Sequence, residues 1–243
     1  MQPAVVQLEE RRQRAQAIAQ GRRLDLYTPI HKGIRAFFGA TIDAAGRLDV
    51  LDPEDVTRVA AEVRGLIGLL RAHLHLENQF VHPAIEARRP GAARATANDH
   101  VEHECELEDL EARLLLLERA EDDGARARAA AELYRALAST AAENFRHMAF
   151  EESQNNARLW EAYTDDELRA LHDALVGSIP PAEMALVLRW MVPALSPVER
   201  AAMLTELQAK LPRDAFVGLL GQVRPYLTER EWAKLTAAIG PLA

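Results

Sequence analysis

Between residues 28 and 163 the apolar positions recur every three or four residues, the period of helices that bury one face. Ile30, Ile34, Phe37, Phe38, Thr41 and Ile42 form the first stripe. Thr28 opens it as N-cap with Pro29 at the first helical position, and it closes near Gly46. Asp52-Pro53 repeats the start signal, and Val56, Val59, Val63, Leu66 and Leu70 lead a longer second helix to about Arg88. Pro83 lies inside that helix and demands a kink or a local break in hydrogen bonding. After the Pro90-Gly91 turn, Leu107, Leu110, Leu114 and Leu117 mark a third helix over about 93–121. Asp122, Asp123 and Gly124 turn the chain into a fourth, over about 125–163. Long helices joined by short turns predict an all-α, up-down-up-down four-helix bundle.

The rhythm differs on both sides of this region. Residues 4–20 read as a charged helix with few large apolar side chains, so 1–23 is expected to be an N-terminal arm or helix. From Thr164 onward three capping boxes appear: Thr164 with Glu167, Ser196 with Glu199, and Thr228 with Glu231. Pro180, Pro181, Pro193, Pro197, Pro212 and Pro225 cut the same stretch into short helices. Residues 164–243 are therefore expected to form a separate, smaller helical module, with Trp190 and Trp232 as its core anchors. The bundle itself takes 24–163.

Composition narrows the function. Aromatics are 5% of the chain while Ala, Leu, Glu and Arg abound, which favours helices over strands. A net charge of −8 argues against a nucleic-acid partner, which needs a basic face. The single cysteine, Cys105, excludes an intrachain disulfide and Cys-rich metal sites, and reads as a small buried thiol. No run of ~18 apolar residues spans a membrane and the start shows no basic-then-apolar signal pattern, so a cytoplasmic protein is expected.

The histidines change the picture. Seven of the eight lie between His31 and His147. Projected at ~100° per residue, His73 and Glu77 share the core face of the second helix with Leu66, Leu70, Phe80 and Ala84. His147 and Glu151 do the same in the fourth, aligned with Ala136, Thr140, Phe150 and Gln154. In the third helix His100 and Glu104 are four apart, with His103 between them as an alternative to His100. His31 lies on the Ile34–Phe38–Ile42 side of the first. A lone inward histidine is usually a hydrogen-bonded core residue, but buried glutamates need a partner or a metal. Three His-x-x-x-Glu pairs on three helices therefore point to a metal site, and imidazole with carboxylate suits iron, zinc or manganese. His75 and His82 project to the outer face. Arg35 and Glu143 lie near the ligand faces as candidate outer partners. No His-Glu-x-x-His, Glu-x-x-His or phosphate-loop pattern competes with this reading.

The segments IHKGIR, HLHLENQFVHPAIE, DHVEHE and HMAFEES resemble the hemerythrin-like (HHE cation-binding) domain over about 24–163. The resemblance implies a bundle enclosing a non-haem di-iron centre. Its ligands would be His31, His73, Glu77, His100, His147 and Glu151, with Glu77 and Glu151 bridging. The chain departs from the invertebrate oxygen-carrier pattern at Glu104, which stands where that pattern has a histidine, and on the fourth helix, where Glu151 or Glu152 replaces an aspartate. Counting Glu104 as a ligand makes the site richer in carboxylate. That shifts the expectation from reversible oxygen carriage toward sensing, peroxide or nitric oxide chemistry, or iron handling. The expected partners are then a small diatomic ligand or peroxide. The alternative is a regulatory protein whose metal or redox state controls docking of the C-terminal module, through which a protein partner would be engaged.

Overall fold

The computed structural model describes residues 23–240, so the expected arm over 1–23 lies outside the described residues except for Arg23. Helix α1 spans Thr28–Gly46, α2 Pro53–Leu76, α3 His82–Arg88, α4 Arg94–Glu118, α5 Asp123–Phe150 and α6 Asn156–Ala162. Helices α7 (Asp165–Ser178), α8 (Pro181–Ala194), α9 (Pro197–Lys210), α10 (Arg213–Val223) and α11 (Glu229–Ile239) follow, and no strand occurs among the described residues.

Local sequence accounts for most helix starts. The Asp52 carboxylate accepts from the Glu54 amide with Pro53 at the first turn, and Asp122 accepts from Ala125. All three capping boxes form, at Thr164, Ser196 and Thr228. Thr28 is a correction: it lies inside α1, and the preceding Tyr27 makes no side-chain cap. Asp25 takes over, its Oδ1 accepting from the Tyr27 and Thr28 amides at 3.0 and 2.9 Å and from Asn156 Nδ2 at 2.8 Å.

Helices α1, α2, α4 and α5 enclose the main core. Each packs on its neighbours in the ring α1–α2–α4–α5, and short connections at 47–52, 89–93 and 119–122 join them, as an up-down-up-down bundle requires. Its interior includes Ile34, Phe38, Leu66, Leu110, Leu117 and Leu137, all fully buried.

The break demanded by Pro83 takes the form of a π-turn over Glu77–Val81, in which the His82 amide bonds the Glu77 carbonyl five residues back. A second π-turn, Glu151–Asn155, interrupts the fourth rod without any proline. There Asn156 Nδ2 donates to the Glu152 carbonyl at 3.1 Å, and Ser153 Oγ donates to the Ala149 carbonyl at 2.8 Å. Each turn advances the buried face by one residue. Val81 and Ile85 go inward where Phe80 and Ala84 were expected, and Asn155 is buried where Gln154 was expected, whereas Phe150, ahead of the second turn, is half-buried.

The C-terminal helices have their own core of Leu188, Val192, Leu204, Phe216, Leu220 and Leu235 with others. Arg200, 2% exposed, closes the carbonyl end of α8 by donating to Val192, Pro193 and Leu195. Helix α8 carries a second apolar face, Leu186, Val187 and Trp190, which joins the bundle core. Trp190 therefore stacks on Phe37 of α1 at 4.1 Å instead of anchoring the C-terminal core, whereas Trp232 does pack into that core. At Gly33 an added Cβ would stand 2.9 Å from the Met191 Cα, so the two helices touch backbone to backbone. No single helix among the described residues is long and apolar enough to cross a membrane.

Candidate metal centre

Both π-turns begin at a glutamate of the predicted site, Glu77 and Glu151. Single π-turns inside α-helices are costly and concentrate at functional positions. Here they hold both carboxylates buried, 3% and 0% exposed.

Four histidines surround them. His73 Nε2 lies 3.3 Å from Glu77 Oε1, and His31 Nε2 lies 3.9 Å from the same oxygen and 3.5 Å from Glu151 Oε2. On the other side, His100 Nε2 lies 3.3 Å from Glu77 Oε2, and His147 Nε2 lies 3.3 Å from Glu151 Oε1. Two groups result: His31, His73, Glu77 and Glu151; and Glu77, His100, His147 and Glu151. Within each, the offered ligand atoms all lie within 4.8 Å of one another. Both glutamates belong to both groups, and each turns one oxygen toward either pair of histidines.

Three of the four imidazoles are oriented from behind. His31 Nδ1 donates to Glu152 at 3.0 Å, His100 Nδ1 to Asn78 Oδ1 at 2.9 Å, and His147 Nδ1 to Asp99 at 3.1 Å. A proton on Nδ1 leaves the Nε2 lone pair facing the pocket, as metal-ligating histidines require. Arg35 also donates to Glu152, at 2.6 Å, so it is an outer partner as expected. Glu143 instead pairs with Arg146.

Charge is concentrated accordingly. Burial raises the Glu77 carboxyl, and the neighbouring Glu151 adds to that. Burial also opposes ionisation of Glu151, but the His100 and His147 imidazoles, 3.8 and 3.3 Å from its Oε1, prevail and hold it well below the carboxylate range. Burial works against protonation of His100 and His147 too. The carboxylates outweigh it, so His147 is raised and His100 reaches about 9. His73 is pushed well below its ordinary value by burial and by His31.

These residues fit a cation. His31 Nε2, His73 Nε2, Glu77 Oε2 and both oxygens of Glu151 are buried without a hydrogen-bond partner. Orphaned buried acceptors cost ~1–3 kcal/mol each, more when charged. The His100 and His147 Nε2 atoms face each other at 3.1 Å, a separation that requires a positive charge between them, a proton in the metal-free protein or a cation in its place. A metal takes imidazole in its neutral form, so binding one here would release the proton that the His100–His147 pair holds.

The remaining sequence candidates fall outside the two groups. Glu104 is partly exposed and accepts from Arg71 Nε at 3.2 Å, so the structure does not bring it to the pocket. Glu152 lies behind His31 as described. His103 is buried edge-on to the His147 ring at 4.7 Å, its Nδ1 unpartnered, and burial together with His147 pushes it down to about 4. His75 is exposed as expected. His82 is a correction: it is 6% exposed and stacks on His100 at 4.7 Å, because the π-turn preceding it rotates it inward. Cys105 is a further correction, an exposed thiol. Asn78 and Asp99 were missed. Each sits beside a ligand in sequence but orients a histidine on another helix, a relation that no single-helix projection displays.

Comparison with known families finds that the hemerythrin HHE cation binding domain matches residues 23–159, more than half of the chain. Neither the curated proteins nor the solved structures give a match.

Proposed function

Starting from the premise that this chain belongs to the hemerythrin HHE cation-binding family, we propose that its bundle holds two iron ions and presents them to a small oxidant or diatomic ligand. The observation that carries this reading is the sharing of Glu77 and Glu151 between two ligand groups, one oxygen to each. His31 and His73 would complete one position, and His100 and His147 the other. Zinc and manganese suit the same donors.

Each position would draw four protein donors, two imidazoles and two bridging carboxylates. That donor set would leave room beside a bound ion for water or an outside ligand. When bound, iron supplies electron exchange with dioxygen, peroxide or nitric oxide. The chain's own work is to hold donors and exclude water. Asn78, Asp99 and Glu152 keep the Nδ1 protons outward and the Nε2 lone pairs inward. One turn from the ligands, Ile34, Leu70 and Val81 are buried apolar walls that keep bulk water from the pocket. With Glu104 outside the pocket, the carboxylate count is two rather than three. The preference for sensing, peroxide or nitric oxide chemistry over reversible carriage therefore no longer draws support from Glu104.

The test is metal analysis of protein purified from iron-replete cells, with an optical spectrum before and after air. We expect close to two iron ions per chain and a spectrum that changes on exposure. Protein that retains no stoichiometric metal overturns the proposal. Steady consumption of peroxide or nitric oxide assigns catalysis, and binding without turnover assigns a carrier or sensor.

A further inference from the structure

Resting on the two-cation reading above, we propose that the C-terminal helices position His31. The cation position formed by His31 and His73 then depends on docking of α8 and α9, and the position formed by His100 and His147 does not. The two halves of the centre lie on different helices. His31 is on α1 and His73 on α2, whereas His100 is on α4 and His147 on α5. Helix α8 packs along α1 and reaches α2.

The contact concentrates on the turns that follow His31. Lys32 Nζ donates to both oxygens of Glu199 on α9, at 2.7 and 2.6 Å. Gly33 meets the Met191 backbone so closely that no side chain fits between them. Phe37 stacks on Trp190 at an interplanar angle of 13°. The first of these residues adjoins His31, and the other two lie within two turns of it. On the inward side, His31 is held by Glu152 and, through it, by Arg35 of the same helix. α1 is thus pressed between the pocket and the C-terminal segment. His100 and His147 are likewise oriented from within the bundle, by Asn78 and Asp99, but their helices α4 and α5 make no contact with α8 or α9 comparable to that of α8 on α1.

A displaced helix moves its ligand, and loss of an orienting contact typically lowers metal affinity ~10–100-fold. Such a loss should fall on one position and spare the other. A purely structural role for the C-terminal helices would weaken both together.

The experiment is anaerobic titration of the metal-free full-length chain with Co²⁺, followed optically, for wild type, Trp190→Ala and Glu199→Gln. Glutamine serves in a capping box, so the second variant removes the Lys32 charge pair while keeping the start of α9. Hydrogen exchange over 181–210 reports docking, and His31→Ala identifies which binding step belongs to His31. We expect loosened exchange in both variants, weakening of the His31 step by about tenfold, and little change in the other step. Equal weakening of both steps overturns the proposal, as does an unchanged His31 step in a variant whose α8 has loosened. Full retention of α8 protection in both variants overturns it as well, because these contacts would then not hold the segment on α1. If Trp190→Ala does not fold, Glu199→Gln decides by the same criteria. A wild-type chain that takes up no Co²⁺ overturns the two-cation reading itself, an outcome distinct from the others.

Discussion

Glu77 and Glu151 matter more than any single histidine because a carboxylate has two oxygens and each of these has two sets of neighbours. Removing one of them takes an anionic donor from both ligand groups, whereas removing His73 takes a donor from one. Glu77→Ala is therefore expected to lose most bound metal and His73→Ala about half. His75→Ala, at an exposed position on the same helix, should lose none. Metal-to-protein ratios of the purified variants check this, and equal loss from His73→Ala and His75→Ala would contradict it. Their placement was legible in sequence because His73 with Glu77 and His147 with Glu151 each lie one turn apart on one face. His82 was not, because its burial depends on a local change of helical period that no constant-angle projection contains.

Among the elements, the two π-turns and the α1–α8 contact decide the most. The first π-turn has a visible cause in Pro83, which lacks the amide hydrogen a regular helix would use. The second has none in the backbone-forming residues and is stabilised by side chains of Ser153 and Asn156 that bond carbonyls around it. At the α1–α8 contact, Gly33→Ala should force the helices apart. A Cβ there would be 2.9 Å from the Met191 Cα, and backbone, unlike a flexible side chain, cannot yield. Overpacking of this kind costs ~1–3 kcal/mol. Thermal unfolding should show the loss, with faster hydrogen exchange in α8. An unchanged melting temperature would argue that the helices slide without penalty. The glycine was visible in the chain, but its role was not, because its partner lies far away in sequence.

At the scale of the whole molecule, ion pairs tie the C-terminal segment to the bundle. Glu199 pairs with Lys32, and Glu167 pairs with Arg88. Burial opposes ionisation of Glu199, but the Lys32 ammonium and the Ser196 cap outweigh it and hold the carboxyl at about 2. The Arg88 guanidinium, helped by the Thr164 amide, holds Glu167 at about 2 as well. A carboxyl whose folded value lies below its unfolded one stabilises the fold fully above the unfolded value, near 4.5. That contribution fades as pH falls toward 2. Exchange protection of 181–210 in the metal-free protein should therefore decline between about pH 4.5 and 2. Glu199→Gln should flatten the decline, and an identical profile in that variant would show that the Lys32 pair contributes nothing to docking.

Sequence alone determined what is local and periodic. Helix phases depend on neighbours three and four residues away, caps on a residue and its third neighbour, and the His-x-x-x-Glu pairs on one turn of one helix. Tertiary structure decided which inward donors meet. It excluded Glu104, drew His82 in, turned Glu152 into a support for His31, and recruited Asn78 and Asp99. It also gave α8 two apolar faces to satisfy, one in its own core and one on α1. Each of these outcomes depends on distances between helices and on their local winding, set by the packing of the whole chain rather than by the order of residues within any one helix.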